Sequence, residues 1–159
     1  MLFSRSFMGS EDTVAEAAMT RLNWRLIFAL SMFGLAMALA TVWVIPSNAE
    51  PVFWLVIFLV CAFCIARFRS SGHFVHGLLV GVVNSIWVTG AHIAFFQQYI
   101  AHHAREAAMM QSMPLPNSPR LMMAIMGPLI GVVSGIIIGL LAWIAGRFIR
   151  PAVSIAASS

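Results

Sequence analysis

Four long apolar stretches alternate with short polar segments along the chain. A helix needs about 20 apolar residues to cross the roughly 30 Å hydrocarbon core of a bilayer, and shorter helices are helped by arginines that extend to the interface. The pattern predicts an all-α, polytopic membrane protein whose four transmembrane helices form an up-down bundle. The predicted helices cover about residues 24–45, 51–66, 74–99 and 121–145.

The segments outside these helices divide the chain further. Residues 1–23 are a polar lead, in which Thr13 and Glu16 have the spacing of a capping box and predict a short helix. Residues 24–150 form the transmembrane domain, and residues 151–159 are a tail. We expect the third helix to continue past the membrane as residues 101–110, because the next prolines, from Pro114 onward, would break it.

The basic residues indicate orientation. All nine are arginine, in a chain that is only 9% charged. Two of them, Arg105 and Arg120, fall on one side of the predicted bundle. The other seven fall on the opposite side, at 5, 21, 25, 67, 69, 147 and 150. Positive charge is retained in the cytoplasm, so both termini are predicted to be cytoplasmic. Because the arginines lie at helix ends rather than in one patch, nucleic acid is not an expected partner.

Small residues recur at every fourth position in two helices. In membranes, helices associate through close backbone approach, which glycine permits. We therefore expect the third and fourth helices to pack as antiparallel neighbours through these faces, with the bulky second helix facing lipid most. Two alternatives are a groove for lipid or substrate and a homo-oligomer formed through spare small faces. The predicted helix-packing residues are Gly77, Gly81, Gly127, Gly131, Gly135 and Gly139.

The third helix carries most of the polar residues within the predicted spans. Asn84, Ser85, His92 and Tyr99 form a candidate polar pathway. Polar groups in a bilayer need partners or a function, so these residues either hydrogen-bond between helices or handle an ion. One specific expectation is a bond from His92 to a serine or threonine of the first helix. No acidic residue falls within a predicted span, which counts against an active proton-coupled transporter.

A metal site is a further alternative, on the outer side. His102, His103 and Glu106 lie close together in sequence and are followed by methionines, a set of side chains that could bind copper or zinc. An interfacial helical cap is the competing interpretation. Cys61 and Cys64 have metal-ligand spacing too, but they lie inside an apolar run and are expected to act as small packing residues.

Catalytic signatures are absent from the sequence. There is no phosphate-binding glycine loop, nucleophile elbow, HExxH motif or pair of carboxylates. The chain is therefore predicted to be non-enzymatic and to use no cofactor.

The segment from Gly72 to Gly77, the long extension that ends in prolines, and the closing helix with Gly127 to Gly139 resemble a family of small bacterial four-helix membrane proteins of unknown function. The resemblance covers residues 72–150 and implies a multi-pass protein of the bacterial inner membrane. Within that setting, the leading hypothesis is an accessory subunit or homo-oligomer, with membrane lipid and a membrane-complex subunit as partners. The alternatives are a small ion or solute channel or carrier lined by the third helix, and the copper or zinc site.

Overall fold

A computed structural model describes residues 22–112 and 114–152, and the described chain is all-helical. Four of its helices are long and apolar enough to cross a membrane, namely Trp24–Trp43, Glu50–Phe68, His73–Ala94 and Pro119–Phe148. The predicted short helix before residue 22, Met113 and the tail from residue 153 lie outside the described residues. The helices are α1 (Trp24–Trp43), α2 (Glu50–Phe68), α3 (His73–Ala94), α4 (Phe96–His102), α5 (Ala104–Gln111) and α6 (Pro119–Phe148).

Local sequence signals explain where the long helices begin. The Asn23 side chain accepts a hydrogen bond of 3.0 Å from the Leu26 amide and caps α1. Proline occupies the first turn of α2 and of α6, where its missing N–H costs nothing. Gly72 precedes α3 with a φ of 71°, a conformation that favours glycine.

The third predicted helix, 74–99, is interrupted, and its predicted continuation is interrupted again. The interruptions are at Phe95, with φ −103° and ψ 35°, and at His103, with φ −124° and ψ 66°. Neither residue is a proline or glycine, so a break is not predicted from the local sequence. The reason is tertiary: Phe95 packs edge-on against Trp43 at 4.9 Å, and His103 turns inward to a partner on α2.

The helix ends also differ in detail from the prediction. α1 stops at Trp43, two residues before the predicted end, while α6 extends beyond the predicted 121–145 at both ends. More important for function, α2 begins at Glu50, so the expectation that no acidic residue falls within a span is wrong. The sequence pattern places Glu50 in the loop before Pro51, yet a residue before a first-turn proline can itself open the helix.

α3 lies at the centre of the fold, between α6 and α1. Along its contact with α6, residues pair at every fourth position, stepping forward on α3 and backward on α6, so these two helices are antiparallel. A Cβ added to Gly77 would lie 2.5 Å from the Gly139 Cα atom, which shows how closely the backbones approach. The pairs are Gly77 with Gly139, Gly81 with Gly135, Ser85 with Gly131, and Thr89 with Gly127.

Hydrogen bonds, rather than glycines, dominate the contact between α3 and α1. The Asn23 amide donates to His76 Nε2 (3.1 Å), and Trp87 Nε1 donates to Ser31 Oγ (3.1 Å). A third bond joins Thr41 and His92. Since the bilayer interior offers no water to these groups, each bond also fixes the position of α1 along α3.

The apolar core lies nearer one end of the bundle, where α2 packs against α6. Of the four long helices α2 is the least buried, in line with its bulky sequence, but one face of its second half joins this core. The core residues are Ile27, Leu30, Cys61, Ala62, Ile65, Val80, Ile138 and Ala142.

Candidate functional site

A cavity of about 500 Å³ lies between α2, α3 and α6, with the methionines of α5 across one end. We call this end of the bundle the glutamate end (Glu50, His103 and Glu106) and the opposite end the arginine end (Arg67, Arg147 and Arg150). Methionines and aromatic rings supply most of the apolar wall: Trp54, Phe58, Met109, Met110, Met122, Met123 and Met126. All four residues of the predicted polar pathway line the cavity, together with Thr41, Glu50, Thr89 and Glu106.

The packing of α3 against α6 explains why the cavity opens at this end. On α6 the paired residue is always glycine, whereas on α3 it changes from glycine to Ser85 and then Thr89 towards the cavity. Larger side chains at the contact hold the helix axes farther apart. At the arginine end, by contrast, Gly77 and Gly139 leave no space between the helices. The cavity is therefore closed at that end.

Three aromatic rings form a stack beside the cavity, which we call the His–Tyr–His stack. The ring centroids of His92 and Tyr99 are 4.1 Å apart, and those of Tyr99 and His103 are 4.4 Å apart, with interplanar angles of 22° and 18°. The break at Phe95 brings Tyr99 under His92 across the helix boundary. Both faces of the Tyr99 ring are covered, so only its edge and hydroxyl are open to the cavity.

Burial raises the pKa of the Tyr99 phenol, and the nearby carboxylates of Glu50 and Glu106 raise it further. Both effects disfavour the phenolate, since one removes water and the others place negative charge beside it. The hydroxyl therefore remains a hydrogen-bond donor at neutral pH.

His92 is held in one tautomer by Thr41. The single hydroxyl hydrogen of Thr41 is donated to the Ala38 carbonyl at 2.9 Å. Thr41 Oγ1 must then accept from His92 Nε2, which lies 2.9 Å away. This confirms the predicted bond from His92 to a serine or threonine of the first helix. It leaves Nδ1 as an acceptor, and no described residue bonds to it.

His103 and Glu50 share one proton. His103 Nδ1 donates to the Tyr99 carbonyl at 3.0 Å, and Nε2 lies 2.8 Å from Glu50 Oε1. A hydrogen bond at that distance needs one proton between the two atoms, carried either by the imidazole or by the carboxyl group. In both arrangements the pair has no net charge. The His103 side chain is fully buried and that of Glu50 is 22% exposed. A pair without net charge avoids the large cost of burying an uncompensated charge at this site.

Glu106 is the second carboxylate of the cavity. Its Oε2 accepts a hydrogen bond of 2.8 Å from Ser47 Oγ, in the loop before α2. Within residues 22–112 and 114–152 the structure gives it no cationic partner. With the neutral His103–Glu50 pair beside it, the cavity mouth carries a net charge of −1 when Glu106 is ionised.

Asn84 is the most unusual polar group in the cavity wall. It is only 4% exposed, and neither atom of its carboxamide finds a hydrogen-bond partner among the described residues. The amide lies against Gly34, and any side chain at that position would collide with it. An unpaired buried amide costs about 1–3 kcal/mol, so a ligand or water that pairs with it would be bound favourably.

The structure does not bring the predicted metal ligands together. His102 lies on the outside, with Nδ1 2.9 Å from the Gln98 carbonyl, whereas His103 points inward to Glu50. In the described part of the chain no three His, Cys, Asp or Glu side chains converge on a metal position. Cys61 is fully buried in the core, the packing role expected for it.

Glu50 was missed by sequence reasoning. Glu50 could have been found from its position before a first-turn proline, but its contact with His103 spans 53 residues and follows from the break in the third helix. Thr41 was covered only by the expectation that a serine or threonine of the first helix bonds to His92. Compared with family models, with curated protein sequences and with solved structures, the chain shows no significant match.

Proposed function

We propose that this chain is a non-enzymatic protein of the bacterial inner membrane that binds a small, mainly apolar solute in its cavity. The observation that carries the proposal is the cavity itself: about 500 Å³, mainly apolar, with hydrogen-bonding groups supplied by several of the helices that line it. Ligand sites are typically concave and apolar with a few placed polar groups. Membrane lipid surrounds the four spans in this proposal, and nucleic acid has no part in it.

The proposed orientation follows from the arginines. α1, α2, α3 and α6 cross the membrane in up-down order, with the arginine end and both termini in the cytoplasm. The glutamate end then faces the periplasm. Reporter fusions test this: alkaline phosphatase joined after Ser118 should be active, and the same enzyme joined after residue 159 should be inactive. The reverse pattern would contradict the orientation.

A solute-binding protein or carrier fits the cavity better than an open channel. The tight contact of Gly77 with Gly139 closes the arginine end, so a solute that enters from the glutamate end finds no continuous route through the bundle. Transport would require a second conformation in which α6 moves away from α3 at this contact.

Helix association with another subunit is the second candidate, and it stays a prediction. The six glycines predicted to serve it are occupied inside the chain by the α3–α6 contact. One glycine remains for a partner: of the described glycines, Gly90 alone has nothing within 4 Å of an added Cβ. A homo-oligomer or a membrane complex would therefore involve the side of α3 around Gly90.

The binding proposal is tested with a neutral lipophilic dye, N-phenyl-1-naphthylamine, and protein in lipid nanodiscs. Saturable fluorescence enhancement should be seen with the wild type. Met126→Trp should abolish it by filling the cavity, because Met126 is part of the wall. Val133→Trp is the matched control, since Val133 lies on the same helix, is 58% exposed and does not line the cavity. Equal dye binding by both variants would overturn the proposal.

A further inference from the structure

We infer that the ligand of this cavity is an amphipathic organic cation, with its charged group beside Glu106 and its apolar body against the methionines. The inference rests on the proposed binding function and adds the class of ligand. It is carried by the charge of the cavity mouth, by the chemistry of the apolar wall and by the unpaired amide of Asn84.

The first basis for the inference is the Glu106 carboxylate at the cavity mouth, which pairs with no described cation. The His103–Glu50 pair is neutral wherever its shared proton lies, so Glu106 determines the charge of the mouth. Two arginines are near in sequence, but neither Arg105 nor Arg120 is among the lining residues, and Arg120 is placed over the Phe96 ring at 5.3 Å. Among the residues that the structure describes, the cavity wall therefore presents negative charge and includes no arginine. A carboxylate next to an apolar, low-dielectric wall attracts a ligand cation more strongly than one in water does.

The apolar wall suits the same ligand. Five methionines and the rings of Trp54 and Phe58 line it. Methionine is flexible and polarisable and adapts to ligands of irregular shape, and indole faces attract cations. An anion would meet the carboxylate of Glu106, and an inorganic cation would leave most of the wall without contact.

Asn84 marks the far end of the cavity. It is eight residues from His92 on α3, a rise of about 12 Å along the helix, and it lies on the arginine-end side of the His–Tyr–His stack. Its buried, unpaired carboxamide can both donate and accept. A ligand that carries a hydroxyl or amide opposite its cationic group would reach it.

The decisive experiment compares two ions of nearly equal size and opposite charge. Binding of tetraphenylphosphonium and tetraphenylborate to the protein in nanodiscs is measured by quenching of tryptophan fluorescence, with empty nanodiscs subtracted. We expect the cation to bind at least tenfold more tightly. Equal or tighter binding of the borate would overturn the inference while leaving the proposed function intact. If neither ion nor the neutral dye binds the wild type, the proposed function itself has failed.

Glu106→Gln locates the effect. It removes the charge but keeps the side chain's size, so tetraphenylphosphonium affinity should fall about tenfold, a much larger factor than any change in the binding of the neutral dye. Glu106→Asp keeps the charge and should retain most of the affinity for the cation. If Glu106→Gln also loses the dye, the result with Glu106→Asp decides, and its failure to bind the cation would overturn the inference.

The role of Asn84 is tested with two alkyltrimethylammonium ions that differ only in a terminal hydroxyl group. The wild type should prefer the hydroxyl-bearing ion, and Asn84→Leu should lose that preference. An unchanged preference in Asn84→Leu would remove Asn84 from the binding site.

Discussion

The two ends of the α3–α6 contact are built on opposite principles. At the arginine end the helices approach until backbone meets backbone, through Gly77, Gly81 and their partners on α6. Towards the glutamate end the larger Ser85 and Thr89 make the contact with α6, and the cavity beside it, between α2, α3 and α6, is lined by polar groups whose partners lie on other helices. The arginine end is held by close packing of small residues, and the glutamate end is held by directional hydrogen bonds.

The difference shows how one helix pair can provide both a rigid support and a binding cavity. Close packing of small residues tolerates no added volume, because nothing nearby can move aside. Hydrogen-bonded side chains such as His92 and His103 leave free space around them and keep their orientation. Substitutions at the two ends should accordingly differ in size and even in sign.

The largest effect is expected from adding a single methyl group at the arginine end. In Gly81→Ala the new Cβ would collide with the backbone of Gly135, so the helices must separate at a cost of about 1–3 kcal/mol, the usual range for overpacking. Thermal unfolding of the protein in detergent measures this. Gly90→Ala is the control, because the space around Gly90 is open. Equal stability of the two variants would show that α3 and α6 are not in close contact.

Removing the carboxyl group of Glu50 should have the next largest effect. Glu50→Leu leaves the buried Nε2 of His103 without a partner, at a cost of about 1–3 kcal/mol. Glu106→Leu makes the matched comparison, since it removes a carboxylate bonded only to Ser47 and should destabilise much less. The same unfolding assay would contradict the assignment if Glu106→Leu were the more harmful change.

The opposite sign is expected at Asn84. Leucine branches at the same carbon and has no polar atoms, so Asn84→Leu removes an unpaired amide from the interior and should stabilise the ligand-free protein by about 1 kcal/mol. A loss of stability would mean that the amide has a partner in the membrane-embedded protein. Comparing unfolding with and without bound cation separates that partner from the ligand.

The smallest effect is expected for the bond between α1 and α3. Thr41→Val keeps the shape of the side chain and removes the acceptor of His92, at a cost near the ~0.6 kcal/mol average for hydrogen bonds inside membrane proteins. Dye binding should weaken as well, because His92 would be free to turn in the cavity wall. Thr89→Val serves as the control, since the Thr89 side chain is also in the cavity wall but makes no hydrogen bond with another described residue.

The sequence predicted what depends on periodicity and missed what depends on distant contacts. Four apolar stretches of sufficient length identify the four long helices, and the glycine spacing places small residues on facing sides of α3 and α6. The polar residues of the third helix were predicted to lie along one pathway, and the structure places all four in the wall of one cavity. These are properties of a single helix and can be read from it.

The break at Phe95 and the pairing of Glu50 with His103 could not be predicted in this way. Helix propensity continues through residues 94–103, and only the packing of Phe95 on Trp43 and of His103 on α2 interrupts it. The cavity arises because the α3 residues at the contact increase in size from Gly81 to Thr89. This increase can be recognised only when their partners on α6 are known.

The regular spacing of the glycines raises the question of what fixes the alignment of α3 on α6. Sliding α6 by four residues, about 6 Å, would again place glycine opposite glycine, at two positions in one direction and at one in the other, so the small residues alone do not distinguish the alignments. The residues on either side of the four α6 glycines do distinguish the alignments. One slide would bring Met123 against Thr89, and the opposite slide would bring Trp143 against Gly77. Four glycines on α6 meet four small residues on α3, and bulky neighbours on either side leave a single alignment in which all eight fit.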